Sequence, residues 1–277
     1  SMTMDEQQLI ADFLEFIKAS PTPFHAVSNM RALLQQAGYE VLHENERWKP
    51  VPGGRYLVTR NDSSMIAFHL EQADIAHSGI QMVGAHTDSP CLKVKPKPGL
   101  IRHKYYQLGV EVYGGALLNP WFDRDLCMAG RVYFRNTKGA VENALMIFHE
   151  PIAMLPSLAI HLDREVNSSR SINNQQHLPP LLLLDGAESV TFTDILLQQL
   201  SRQFPKRKAS EIVSHELYLY DSQAPALLGL NHEFIAAARL DNLLSCFAGM
   251  QSLIHQQGKT NSLLICTDHE EVGSGSF

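Results

Sequence analysis

Near the start of the chain, apolar residues recur at helical spacing. Leu9, Ile10, Phe13, Leu14, Phe16 and Ile17 line one face between residues 5 and 19, and Ser20-Pro21-Thr22-Pro23 breaks the pattern. A second helix is predicted from about Phe24 to Ala37, with Met30, Leu33 and Leu34 inward and Gly38 at its C-terminal stop. Three short strands follow: Arg55 to Thr59, Met65 to Leu70 and Gln81 to Ala85, the last a buried strand that stops on His86. After Pro90 the period shortens towards two. Leu92-Lys93-Val94-Lys95, Tyr106 to Tyr113, Gly130 to Asn136, Val141 to His149, Leu181 to Leu184 and Ile212 to Tyr220 are predicted strands, with one helix from Thr193 to Gln203. Helical spacing returns at about Asn231 and runs through Phe234, Ala237, Leu240, Leu243, Phe247 and Leu253 to a stop at Gly258. A last strand, Ser262 to Thr267, leads into Asp268-His269-Glu270-Glu271.

This order of elements predicts an α/β domain, a mixed sheet flanked by helices, interrupted by a β-rich section. The expected segments are 1–91 and 236–277 for the α/β domain and 92–235 for the insertion. Composition narrows the class. The 277 residues carry a net charge of −6 with 44% hydrophobic residues, an ordinary globular balance that gives no electrostatic reason to expect nucleic acid. No apolar run approaches the ~18 residues of a membrane-spanning helix, and no basic-then-apolar leader opens the chain. The four cysteines are scattered without a C-x-x-C pair, which predicts a reduced, cytoplasmic protein.

Candidate chemistry gathers at element ends. His86 closes a strand and Asp88 follows two residues on, an arrangement in which an imidazole binds an ion through one nitrogen while the carboxylate takes the proton on the other. A structural histidine is the alternative. Asp241 sits within an apolar helical pattern, either as a ligand or as the cap of the helix that follows. Glu270 and Glu271 are either a solvated pair or two mutually repelling carboxylates neutralised by a cation. One histidine with several carboxylates is a donor set for Zn²⁺, Co²⁺ or Mn²⁺.

Three stretches together sharpen this: Val83-Gly84-Ala85-His86-Thr87-Asp88-Ser89-Pro90, Ala238-Arg239-Leu240-Asp241-Asn242 and Asp268-His269-Glu270-Glu271-Val272-Gly273-Ser274. They resemble the signatures of the M18 metallo-aminopeptidases, which include the aspartyl aminopeptidases. The resemblance extends to Ser20-Pro21-Thr22-Pro23-Phe24-His25, Trp121-Phe122-Asp123-Arg124-Asp125-Leu126 and Ala159-Ile160-His161-Leu162-Asp163-Arg164, and so runs the length of the chain in order. It implies a zinc-peptidase-like fold and two divalent ions, zinc first, with cobalt or manganese as alternatives. It implies that His86 binds one ion, Asp88 orients His86, Asp241 bridges the two, Glu271 binds the other and Glu270 is the general base. The insertion becomes an oligomerisation domain of a dimer-built dodecamer, with His161 reaching a neighbouring subunit's site. The implied substrate is a peptide with a free N-terminus, acidic N-terminal residues being one preference. A further aspartate and histidine ligand are expected downstream of Phe277, so the sequence is expected to stop within the catalytic domain. The alternatives are a related di-metal amidase or deacylase, and an inactive fragment that serves as an assembly scaffold.

Overall fold

The computed structural model describes residues 2–158, 162–184, 190–256, 258 and 260–273. In chain order the elements begin with α1 (Met4–Lys18), α2 (Pro23–Gln36), β1 (Glu40–Leu42), β2 (Gly54–Arg60), β3 (Ser64–Leu70), α3 (Ile75–Ser78) and β4 (Ile80–His86). Next come β5 (Cys91–Arg102), β6 (Tyr105–Tyr113), β7 (Leu126–Asn136), β8 (Val141–Ile147), α4 (Asn174–His177), β9 (Leu181–Leu184), α5 (Phe192–Gln203) and β10 (Ala209–Asp221). The chain closes with β11 (Ala226–Leu228), β12 (Phe234–Ala236), α6 (Leu240–Ile254) and β13 (Asn261–Thr267). Two compact units result, one of residues 1–89 and 224–277, the other of residues 90–223.

The first unit is a mixed α/β layer. Its sheet runs β1-β2-β3-β13-β4. β2 and β3 form an antiparallel hairpin, Arg60 pairing with Ser64 across a three-residue turn in which Asn61 and Asp62 both take positive φ (52° and 56°), a backbone these side chains tolerate. β13 runs antiparallel to β3 and parallel to β4, with Thr267 opposite His86, so β4 and β13 end side by side. Helix α1 starts in a capping box between Thr3 and Glu6, and α2 starts with Thr22 capping and Pro23 in its first turn. Leu57, Met65, Ala67, Leu264 and Cys266 pack from the sheet against Met30 and Leu34 of α2 and Phe247 and Met250 of α6. Phe13 and Phe16 of α1 close on Phe247 at ring separations of 5.4 and 5.5 Å.

Several expectations are corrected here. β4 is an edge strand, and Gln81 to Gly84 are exposed rather than buried. An apolar run carries no mark that separates an edge from a centre. Nor does helix extend back to Asn231. Phe234–Ala236 is a strand paired with Ala226–Leu228, and Arg239 is left-handed (φ 62°). Phe234, Ala237 and Leu240 mimic helical spacing while belonging to a hairpin arm and a bend. That hairpin lies in the first unit, where Ile235 and Ala237 pack on its core, so this unit resumes at Ala224, upstream of the boundary expected at 235. Helix α6 itself stops at Ile254, before Gly258.

The second unit is an antiparallel sheet in the order β8-β7-β10-β5-β6-β9. Inward positions alternate along its strands (Leu92 and Val94; Leu108 and Val110; Leu217 and Leu219), and α5 lays Phe192, Leu196 and Leu200 on the same core. Among the described residues, no helix is long and apolar enough to cross a membrane.

A carboxylate-rich candidate metal centre

Parallel strands that end together place their following residues at one edge of the sheet, and this is where the polar chemistry of the first unit converges. His86 closes β4, and Asp268 to Glu271 follow β13. Asp241 arrives from α6, whose first residues are not yet helical: Asp241 has φ −89° and ψ 102°, Asn242 has φ −128° and ψ 27°, and the peptide between them is cis. The Asp241 carboxylate faces His86, with Oδ1 3.2 Å from Nε2. Glu270 Oε2 lies 3.7 Å from the same nitrogen. His86, Glu270 and Glu271 each offer a ligand atom within 4.8 Å of the others.

Asp88 is fully buried beneath them. His86 Nδ1 lies 3.0 Å from its main-chain oxygen and 3.3 Å from Oδ1, while Oδ2 accepts the Glu271 N–H at 2.9 Å. One carboxylate thus ties the β4 exit to the β13 exit and favours the tautomer that carries its proton on Nδ1, leaving Nε2 bare towards Asp241 and Glu270. Thr87 repeats the tie one residue on. Its N–H donates to Thr267 O at 2.8 Å and its hydroxyl donates to Ser63 O at 2.8 Å.

The electrostatics favour a cation. Burial pushes the Glu271 carboxyl above its ordinary range, and the charges of Glu270, Asp88 and Asp241 add to the rise against a smaller lowering by His86. Burial alone would lower the His86 imidazole, but the hydrogen bond to the Asp88 carbonyl and the charges of Asp88, Glu270 and Asp241 outweigh it, so the net shift is upward. Burial also raises the Asp268 carboxyl, against the hydrogen bonds from Ser63 and the His269 N–H. Crowding of carboxylates around an imidazole nitrogen is what a divalent ion relieves, and nitrogen with oxygen donors suits zinc.

Five of the six residues expected to act are brought to this one place: His86, Asp88, Asp241, Glu270 and Glu271. The sixth, His161, lies outside the described residues. Asn242, Ser63 and Thr87 join the same network, although the sequence assigned them no role. Asn242 and Thr87 lie within the quoted motifs, but hydrogen bonds between small side chains and distant main-chain atoms leave no spacing to read.

Comparisons with known proteins show the family and its fold. The family model for the Aminopeptidase I zinc metalloprotease (M18) matches residues 16–277. The probable M18 family aminopeptidase 2 of Ectopseudomonas mendocina (strain ymp) is 53% identical over 271 residues, 98% of this chain and 63% of that protein. The protein of the same description from Pseudomonas entomophila (strain L48) is 55% identical over 269 residues, 97% of this chain and 62% of that protein. The chain thus spans under two thirds of the length of these relatives. Among solved structures, the Ape4 and Nbr1 complex superposes with a TM-score of 0.90 at 35% identity over 98% of this chain and 56% of that one. Chaetomium thermophilum mApe1 superposes at 0.85 with 32% identity, over 97% of this chain and 64% of that one.

Proposed function

The chain belongs to the Aminopeptidase I zinc metalloprotease (M18) family, and from that premise we propose that the full-length protein removes N-terminal residues from peptides at a zinc centre built on His86, Asp241, Glu270 and Glu271. The observation that carries the proposal is the meeting of His86 Nε2, the Asp241 carboxylate and the two glutamates at the shared end of β4 and β13.

In this proposal His86 and Glu271 each hold one zinc ion and Asp241 lies between the two. Bound zinc supplies Lewis acidity and lowers the pKa of water towards neutrality. Glu270 takes the proton of the attacking water on its carboxylate and returns it to the leaving amine, a general-base role that suits an exposed carboxylate beside His86 Nε2. Asp88 keeps the His86 ring in one tautomer and one orientation throughout. The substrate's free amino group is recognised at the same centre, which makes the activity exopeptidic. The partner subunit's His161 donates to the developing oxyanion, and the unit of residues 90–223 mediates assembly of a homo-oligomer. The buried free thiols of Cys127, Cys246 and Cys266 support a reducing cytoplasmic setting.

The test is a paired assay on the full-length protein. Aminoacyl anilides with a free amino group should be cleaved, their N-acetylated counterparts should not, and a chelator should abolish cleavage until zinc is returned. Preference for the acetylated substrates would replace the aminopeptidase with an amidase. Chelator-resistant cleavage would remove zinc from the reaction.

A further inference from the structure

His86 and Asp241 stand on different elements, and the zinc centre proposed above requires their side chains to meet at a fixed separation. Ala85 of β4 packs on the core that α6 shares, but the ladder to β13 leaves the main-chain groups of His86 to be met from α6. Among the described residues, β4 pairs with β13 on one side only. Successive residues of a strand direct their main-chain groups to alternate sides. The Thr87 N–H donates to Thr267 of β13, so the main-chain groups of His86 point away from β13.

Side chains of α6 meet them. Asn242 Oδ1 accepts the His86 N–H at 3.1 Å, and Cys246 Sγ donates to the His86 carbonyl at 3.1 Å. Asn242 is itself oriented, since its Nδ2 donates to Ser245 Oγ at 3.1 Å. The return bond comes from Ser89, whose hydroxyl donates to Asp241 O at 3.1 Å. Upstream, Arg239 anchors the bend before Asp241 by donating to Ser20 O and Ile17 O, at 3.1 and 2.9 Å, at the end of α1. Within this frame Asn242 is the direct link. It follows Asp241 in the chain and grips the backbone of His86.

We propose that Asn242 is a positioning residue for the zinc centre. Its amide oxygen holds the end of β4 against the start of α6, and thereby sets the distance between His86 Nε2 and the Asp241 carboxylate. The inference rests on the zinc reading above, and the test separates the two. Metal-free full-length protein is titrated with zinc against a chromophoric chelator. Cobalt is then added in its place to read ligand geometry from the visible spectrum, and the melting temperature of the metal-free form is recorded. Wild type that takes up no zinc overturns the zinc reading, and this inference with it. If wild type binds, Asn242→Leu, which keeps the branching at Cγ and removes the acceptor, should weaken zinc ~10- to 100-fold and change the cobalt spectrum, the usual effect of losing a group that orients a ligand. Asn242→Asp retains the acceptor and should restore the wild-type spectrum. Ser245→Ala, which only loosens the amide, should shift affinity in the same direction by less, and it keeps the test sound if Asn242→Leu does not fold. A merely structural bond predicts something else. The metal-free melting temperature would fall in folded Asn242→Leu or Ser245→Ala while zinc affinity and cobalt spectrum stay at wild type, and that outcome overturns the inference.

Discussion

The two units bury polar groups very differently. Among the described residues, Ser20, Thr22, Ser63, His69, Thr87, Asp88, Asn261 and Ser262 are buried polar side chains of the first unit, whereas Arg131 stands alone in the second. The second unit is held by an antiparallel ladder and an alternating apolar core, where each inward residue is replaceable by another of similar volume. The first unit has an apolar core of its own, and its buried polar groups are concentrated where strands end. Ser63, Thr87 and Asp88 tie the exits of β3, β4 and β13 together. Asn261 ties the opposite end, accepting the N–H groups of Glu71 and Gln72 at 2.7 and 2.9 Å. Buried polar groups stabilise only when fully partnered and then admit few arrangements. The lesson is a division of labour: apolar burial makes the sheets, and buried hydrogen bonds fix the positions of the side chains that meet at the strand ends.

Substitutions on each side can break or sharpen this contrast. The largest effect is expected at Glu270. Glu270→Gln should reduce kcat of the full-length protein by ~10²- to 10⁴-fold, with zinc content unchanged by elemental analysis. A matching loss of zinc would move Glu270 from base to ligand. Next is the core of the second unit. Leu217→Ala should cost about 2–5 kcal/mol of stability in chemical denaturation while zinc affinity stays at the wild-type value. A large fall in zinc affinity would mean that the two units are not separable in this way. The smallest effect is expected at Asp88. Asp88→Asn keeps the shape and loses the charge, and should weaken zinc ~10- to 100-fold with little change in the melting temperature of the metal-free protein. Equal loss in both would make Asp88 part of the general scaffold.

Much of this architecture was legible in the residue pattern, and the limits have physical causes. β2, β3, β7, β8 and α5 fall within a few residues of their expected bounds, because period two and period 3.6 report directly which face is buried. The same cue failed at β4, where an apolar run did not reveal that Gln81 to Gly84 face outward on an edge. It failed again before Asp241, where the left-handed Arg239 and the non-helical Asp241 and Asn242 interrupt what reads as continuous helical spacing. His86, Asp88, Asp241, Glu270 and Glu271 were singled out because their residue types and motifs name a chemistry. Asn242, Thr87 and Ser63 were given no role, two of them within the quoted motifs, since a hydrogen bond between a small side chain and a distant main-chain atom leaves no trace in spacing. The corrected start of α6 matters most for function, because a regular helix there would carry the Asp241 carboxylate away from His86.

The central claim is that the Asp241 carboxylate is the common member of a two-zinc centre at the shared end of β4 and β13. Its most direct test is the zinc content of purified full-length wild type and Asp241→Ala, measured by elemental analysis after equilibration with zinc, with circular dichroism confirming that both are folded. The account predicts two ions per chain in wild type and none retained in the variant, since removing a bridge releases both ions. Wild-type zinc content in folded Asp241→Ala would contradict it.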